Sequence, residues 1–124
     1  MVTTKIRTFK DLITWQEAHK LALTVYSLTN NFPKSEAYSL VDQMRRCVVS
    51  VSSNIAEGFS RNSQKEKRLF YYMALGSLTE LQNQLLLSKD LGYIDKEKFF
   101  EIDEQTIKVH KLINGLIKSS KSYT

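Results

Sequence analysis

The apolar positions of this chain advance mostly in alternating steps of three and four over four separate stretches. Trp15, Ala18, Ala22, Val25, Thr29 and Phe32 mark the first, and Leu21 and Leu28 widen its face. Val41, Met44, Val48, Val51 and Ile55 mark the second, with Cys47 beside them. The third runs Phe70, Ala74, Leu78, Leu81, Leu85 and Ser88, and the fourth Phe99, Ile102, Thr106, Val109, Ile113 and Leu116. An apolar stripe of this period is one face of an α-helix turned towards a core.

The residues between the stripes predict where the helices begin and end. Thr14 and Glu17 read as a capping box that opens helix 1. Asn30-Asn31-Phe32-Pro33 closes it, because Pro33 has no amide hydrogen and pushes the residue before it out of the α region. Ser35 reads as the N-cap of helix 2, and Gly58 as the residue just past its end, where a positive φ is free of steric cost. Ser63 and Glu66 form a second capping box for helix 3, Gly92 ends that helix, and Asp95 caps helix 4. Gly76-Ser77 inside helix 3 reads as a place where a neighbouring helix comes close. The predicted organisation is a basic N-terminal arm over 1–13, a bundle over 14–117 and a polar tail over 118–124. Four amphipathic helices joined by short loops give an all-α fold, an antiparallel up-down-up-down four-helix bundle.

Composition supports that picture. Four glycines and one proline in 124 residues are too few for an all-β fold with its many turns. No apolar run approaches the roughly 20 residues of a membrane span, and the N-terminal residues carry no secretory pattern, so no membrane contact and a cytoplasmic location are expected. The single cysteine, Cys47, excludes an internal disulfide and a multi-cysteine zinc site. Position 16 is Gln and position 107 is Ile, so His19 and His110 lack the Glu-x-x-His spacing of a di-metal bundle. No cofactor, metal site or catalytic constellation is expected, and the chain reads as a non-enzyme.

Candidate chemistry concentrates between Ser50 and Arg68 and in its flanks. The net charge is +5. Arg45, Arg46, Arg61, Lys65, Lys67 and Arg68 oppose only Glu57 and Glu66 in that part of the chain. Arg45, Arg46, Arg61, Lys65 and Arg68 are the candidates for phosphate contact with RNA or DNA, through counterion release and bidentate arginine bonds. Phe59, Tyr71 and Tyr72 are placed to stack on bases. The competing reading is a solvated helix end whose cations pair within the protein or across an oligomer interface. Asn54, Glu57, Gly58 and Arg61 read as a structural tie at the helix 2–3 corner, with Arg61 four residues beyond Glu57 and within its reach. Helix 3 carries more apolar residues than one core can take. Leu69, Tyr72, Leu75, Thr79, Leu86 and Leu87 lie off its main stripe, and self-association would cover them.

Several of these segments together resemble a known family. Leu12-Ile13-Thr14-Trp15-Gln16, Phe32-Pro33 with Glu36, Gln43-Met44-Arg45-Arg46, the run S-x-x-x-N-I-A-E-G-x-x-R over 50–61 and Ala74-Leu75-Gly76-Ser77-Leu78 with Glu80-Leu81 are similar to the bacterial four-helix-bundle proteins encoded in intervening sequences of 23S rRNA genes. The resemblance spans residues 9 to 117. It implies a cytoplasmic bacterial bundle that assembles as a homo-oligomer, by analogy with related bundles a pentamer. A relative in fold, the accessory protein of diversity-generating retroelements, implies a nucleic-acid or ribonucleoprotein partner, or a protein partner such as a reverse transcriptase. The reading from sequence is therefore a non-enzymatic oligomeric bundle that binds nucleic acid through a basic surface. Its alternative is a protein–protein scaffold with no nucleic-acid contact.

Overall fold

A computed structural model describes residues 5–122. A 3-10 turn, Phe9–Asp11, leads into α1 (Ile13–Thr29), and a second one, Lys34–Glu36, into α2 (Leu40–Ser60). Two long helices follow, α3 (Gln64–Asp90) and α4 (Lys96–Lys121). Packing joins α1 to α2, α2 to α3, α3 to α4 and α4 back to α1, with no close backbone approach across either diagonal among the described residues, so the four helices sit at the corners of a square. Side-chain contacts set their directions. Arg45 near the start of α2 meets Thr29 at the end of α1, Met44 meets Ser88 at the end of α3, and Arg68 near the start of α3 meets Ser120 at the end of α4. Neighbours run antiparallel, which gives the up-down-up-down bundle.

The core follows the predicted stripes closely in α2 and α4. Val41, Met44, Val48, Val51 and Ile55 are buried in α2, as are Phe99, Ile102, Thr106, Val109 and Ile113 in α4. In α1 the buried line is Thr14, Ala18, Leu21, Val25 and Thr29, while Trp15 and Ala22 only pack against its edge. Trp15 is instead held by the ring edge of Phe9 at 5.1 Å and by His19 stacked at 4.8 Å. In α3 Phe70 is half-buried and Tyr71 takes the interior position.

The caps differ from expectation in three places, each for a local reason. The capping box near the start of the chain is Thr8 with Asp11, and it closes the first 3-10 turn. The Thr14–Glu17 box does not form, because α1 already begins at Ile13 and Thr14 is buried in it. Glu17 instead pairs with Lys20 at 3.1 Å and, across to α4, with Lys108 at 3.3 Å. Ser35 caps nothing: it lies in the second 3-10 turn, and α2 starts five residues later at Leu40. Gly58 is helical and buried inside α2. Its need for glycine is one of space, since an added Cβ would stand 2.7 Å from Cε1 of Tyr71. Gly76 is open on all sides, so the close approach lies one residue on, where Ser77 Oγ meets Ser50 Oγ at 2.8 Å. The remaining boundaries form as read. Ser63 accepts from the amide of Glu66, and Asp95 from that of Lys98. Gly92, at φ 81°, ends α3 in a Schellman turn in which the Tyr93 amide reaches the Ser88 carbonyl at 2.9 Å. The last helix runs to Lys121, into the stretch read as a polar tail.

One clasp ties two loops together. Tyr93 Oη donates to Glu36 Oε2 at 2.8 Å, and Ser39 Oγ donates to Glu36 Oε1 at 2.6 Å. The hydrogen bonds from Ser39 and Tyr93 hold the Glu36 carboxyl below its ordinary pKa. A carboxylate with a depressed folded-state pKa stabilises the fold above its unfolded pKa, and that contribution is lost as pH falls through the folded value. Tyr93→Phe removes one of those bonds, so the variant should be less stable at neutral pH and should lose less stability than the parent as the pH falls. Urea midpoints measured from neutral pH down to about pH 3 check this, that range bracketing the ordinary glutamate pKa of about 4.3.

Candidate nucleic-acid interface

The basic residues that cluster in sequence separate in space. Arg45 and Arg46 lie in the second turn of α2, and Arg61 follows its last residue. At 1.5 Å per residue that puts roughly 20 Å between them, at opposite ends of the bundle. The predicted group of five therefore splits into Arg45 and Arg46 at one end and Arg61, Lys65 and Arg68 at the other.

Much of this charge is used within the fold. Arg45 Nε donates to Thr29 Oγ1 at 3.0 Å, and its Nη2 donates to Asn30 Oδ1 at 3.0 Å and to the Tyr26 carbonyl at 3.3 Å. Its guanidinium also lies 4.6 Å from the centre of the Tyr26 ring. Lys67 Nζ donates to the Phe59 carbonyl at 2.6 Å, and Arg68 Nη1 to the Ser120 carbonyl at 2.9 Å. Helix C-termini leave unpaired carbonyls and the negative end of the dipole, which cations stabilise by about 0.3–1 kcal/mol each. Arg45, Lys67 and Arg68 thus serve the last turns of α1, α2 and α4. Arg46 pairs with Asp42 at 3.0 Å on an exposed face.

The corner motif also divides. Arg61 Nη2 reaches Glu57 Oε2 at 3.8 Å, and its guanidinium covers the Phe70 ring at 4.5 Å. Glu57 is exposed. Asn54 takes no part in that pair: its amide nitrogen donates back to the Ser50 carbonyl at 2.9 Å and to Ser50 Oγ at 3.0 Å. Gly58 belongs to the corner through Tyr71, not through a turn.

Sequence reasoning missed a wider charge asymmetry. The end of the bundle holding the α2–α3 corner also holds the start of α1 and the end of α4. The arm brings Lys5, Arg7 and Lys10 there; the corner brings Arg61, Lys65, Lys67 and Arg68; α4 adds Lys118 and Lys121. Asp11, Glu57 and Glu66 are the acids of the same segments. These are nine basic residues against three acidic, so the nine basic and ten acidic residues left over nearly cancel. The signal lay in the sequence, but in three segments that only the antiparallel fold brings together.

Cys47 is buried, and burial, with Glu80 beside it, pushes its thiol up to about 11, so it stays protonated at neutral pH. No group of three His, Cys, Asp or Glu side chains among the described residues is placed to hold a metal ion. No helix among the described residues is long and apolar enough to cross a membrane.

The sequence model of the 23S rRNA-intervening sequence protein matches residues 10–115. The chain belongs to that family. Among solved structures it is similar to a protein of unknown function from the S23 ribosomal protein family of Bacteroides thetaiotaomicron, with 21% identity and a TM-score of 0.77. That match covers 86% of this chain and 99% of the other, and at this identity it bears on the fold alone. No curated protein matches the chain. Membership of the 23S rRNA-intervening sequence protein family agrees with the bundle and with the motif at the α2–α3 corner.

Proposed function

We propose that this 23S rRNA-intervening sequence family member is a non-enzymatic, cytoplasmic, oligomeric bundle that binds nucleic acid through its basic end. One observation carries the reading: the arm, the α2–α3 corner and the end of α4 together hold an excess of six positive charges, nine basic residues against three acidic, at one end of a bundle that is otherwise close to neutral. A surface of that kind attracts a polyanion and gains free energy from the counterions it displaces. Oligomerisation would repeat the surface and turn a weak contact into a strong one by avidity.

The exposed apolar residues of α3 support self-association. Leu69, Tyr72, Met73, Leu86 and Leu87 are each about half exposed or more along its outer face. A ring, with five copies as its resemblance suggests, would cover them. The alternative, a scaffold for a protein partner, would use the same apolar face and leave the basic end idle.

Salt separates these readings. Retention of a labelled RNA or DNA should weaken steeply between about 0.05 and 0.2 M salt, as binding through several phosphates requires. Retention that ignores salt, or none at the lower concentration, overturns the nucleic-acid reading and favours the scaffold. Light scattering at micromolar concentration should give a mass several times the 14.4 kDa of one chain; a monomer overturns the oligomer.

A further inference from the structure

Resting on the nucleic-acid reading above, we infer that the basic end grips the phosphate backbone of a double helix without stacking on bases, and that Arg61, Lys65 and Lys118 make the contacts. Arg45 and Arg68, singled out by sequence, serve the fold instead.

The aromatic residues of the α2–α3 corner each have a cation of the protein beside them or are buried, and Phe9 and Trp15 pack on each other. Arg61 lies over Phe70, Lys67 lies 5.2 Å from the centre of the Phe59 ring, and Lys121 lies 5.8 Å from that of Tyr72. Tyr71, another stacking candidate, is 4% exposed. Proteins that hold single strands without sequence preference combine a cationic groove with aromatic platforms on which the bases stack. Here Arg61 and Lys67 stand over Phe70 and Phe59, where a stacked base would have to displace them.

The cations divide in the same way. Lys67 and Arg68 are bonded to helix C-terminal carbonyls. Lys65 and Lys118 are exposed and take part in none of the ion pairs among the described residues. The Arg61–Glu57 pair is exposed and long at 3.8 Å. Exposed pairs of this length are weak, so a phosphate can take Glu57's place.

Spacing favours two strands over one. Lys65 opens α3, Lys118 lies in the last turn of α4, and Arg61 follows α2. Neighbouring packed helices stand about 8–10 Å apart and α2 and α4 lie across the diagonal, so the three cations occupy three corners of a face whose span is comparable to the roughly 12 Å width of a major groove. A duplex presents phosphates on both sides of such a groove, one charge per about 1.7 Å of axis. A single strand offers one flexible row.

Fluorescence anisotropy with a labelled duplex of about 25 base pairs, its single strand and a scrambled duplex tests this across the same salt series. The length is chosen to exceed the roughly 16 base pairs that a shape-reading duplex-binding domain covers. The duplex should bind at least about tenfold more tightly than the single strand, an advantage of about 1.4 kcal/mol, and the scrambled duplex should bind equally well. Lys65→Gln with Lys118→Gln should lower the slope of log affinity against log salt by about two per chain. Arg46→Gln, at the far end of the bundle, should leave affinity and slope unchanged. Equal or tighter binding of the single strand overturns the duplex inference while the nucleic-acid reading stands. An equal loss in Arg46→Gln overturns the placement, and retention of neither probe overturns the nucleic-acid reading itself.

Discussion

Gly58→Val is expected to destabilise the fold by about 1–3 kcal/mol, the usual range for overpacking a filled interior. The position is buried in α2, with Tyr71 Cε1 2.7 Å, Tyr71 Cδ1 3.0 Å and Phe70 Cβ 3.1 Å from where a Cβ would sit. Two of these atoms belong to a ring that is itself 4% exposed and has little room to swing aside. The helix must yield, or Tyr71 must leave the core. Gly76→Ala supplies the opposite sign. Its added Cβ meets nothing within 4 Å and lies on the outside of α3, so better helix propensity should stabilise by up to about 1 kcal/mol. Urea unfolding followed by circular dichroism reads both. A Gly58→Val midpoint equal to that of the parent would mean the corner repacks freely and the glycine answers no steric need.

Leu78→Ala should cost more, about 2–5 kcal/mol, because it removes buried methyl groups and leaves a cavity that neighbours only partly fill. Leu78 is wholly buried midway along α3, the helix that packs on both α2 and α4. Set against a typical domain stability of 5–15 kcal/mol, that is a large share. Leu69→Ala on the same helix is the informative partner. Leu69 is 60% exposed in the single chain, so truncation should change the stability of an isolated bundle by about 0.5 kcal/mol or less. If copies pack on this face, the same substitution weakens their association, so the unfolding midpoint should fall and depend less steeply on protein concentration than in the parent. A loss for Leu78→Ala below about 1 kcal/mol would contradict the buried position, since Leu→Ala in a filled core costs about 2–5 kcal/mol.

The helices were legible because α2 and α4 each carry one apolar stripe of helical period, and a stripe is a local property of sequence. What failed was local ambiguity or distance. Thr8–Asp11 and Thr14–Glu17 both satisfy a capping pattern. Only the path of the chain decides that the first one forms, because Thr14 is needed inside. Gly58 near a helix end reads as a turn residue, yet glycine also serves close packing, and Tyr71, thirteen residues on, is what demands it. Arg45 and Arg46 stood beside Arg61 in a linear reading, although a helix carries charges apart as surely as it draws i and i+4 together. Lys118 was missed because its segment read as a frayed tail, whereas Arg68 anchors the last turn of α4 from α3.

An even number of antiparallel helices returns the path to the side where it started, so α1 opens and α4 closes at the cationic end. Any tag or fusion joined near either of those points would stand over the surface assigned to phosphate and could mask it in a binding assay. The opposite end offers a cleaner handle. Tyr38 there is 98% exposed in the loop before α2, so a label grafted at that position would report on the molecule from the end away from the basic surface.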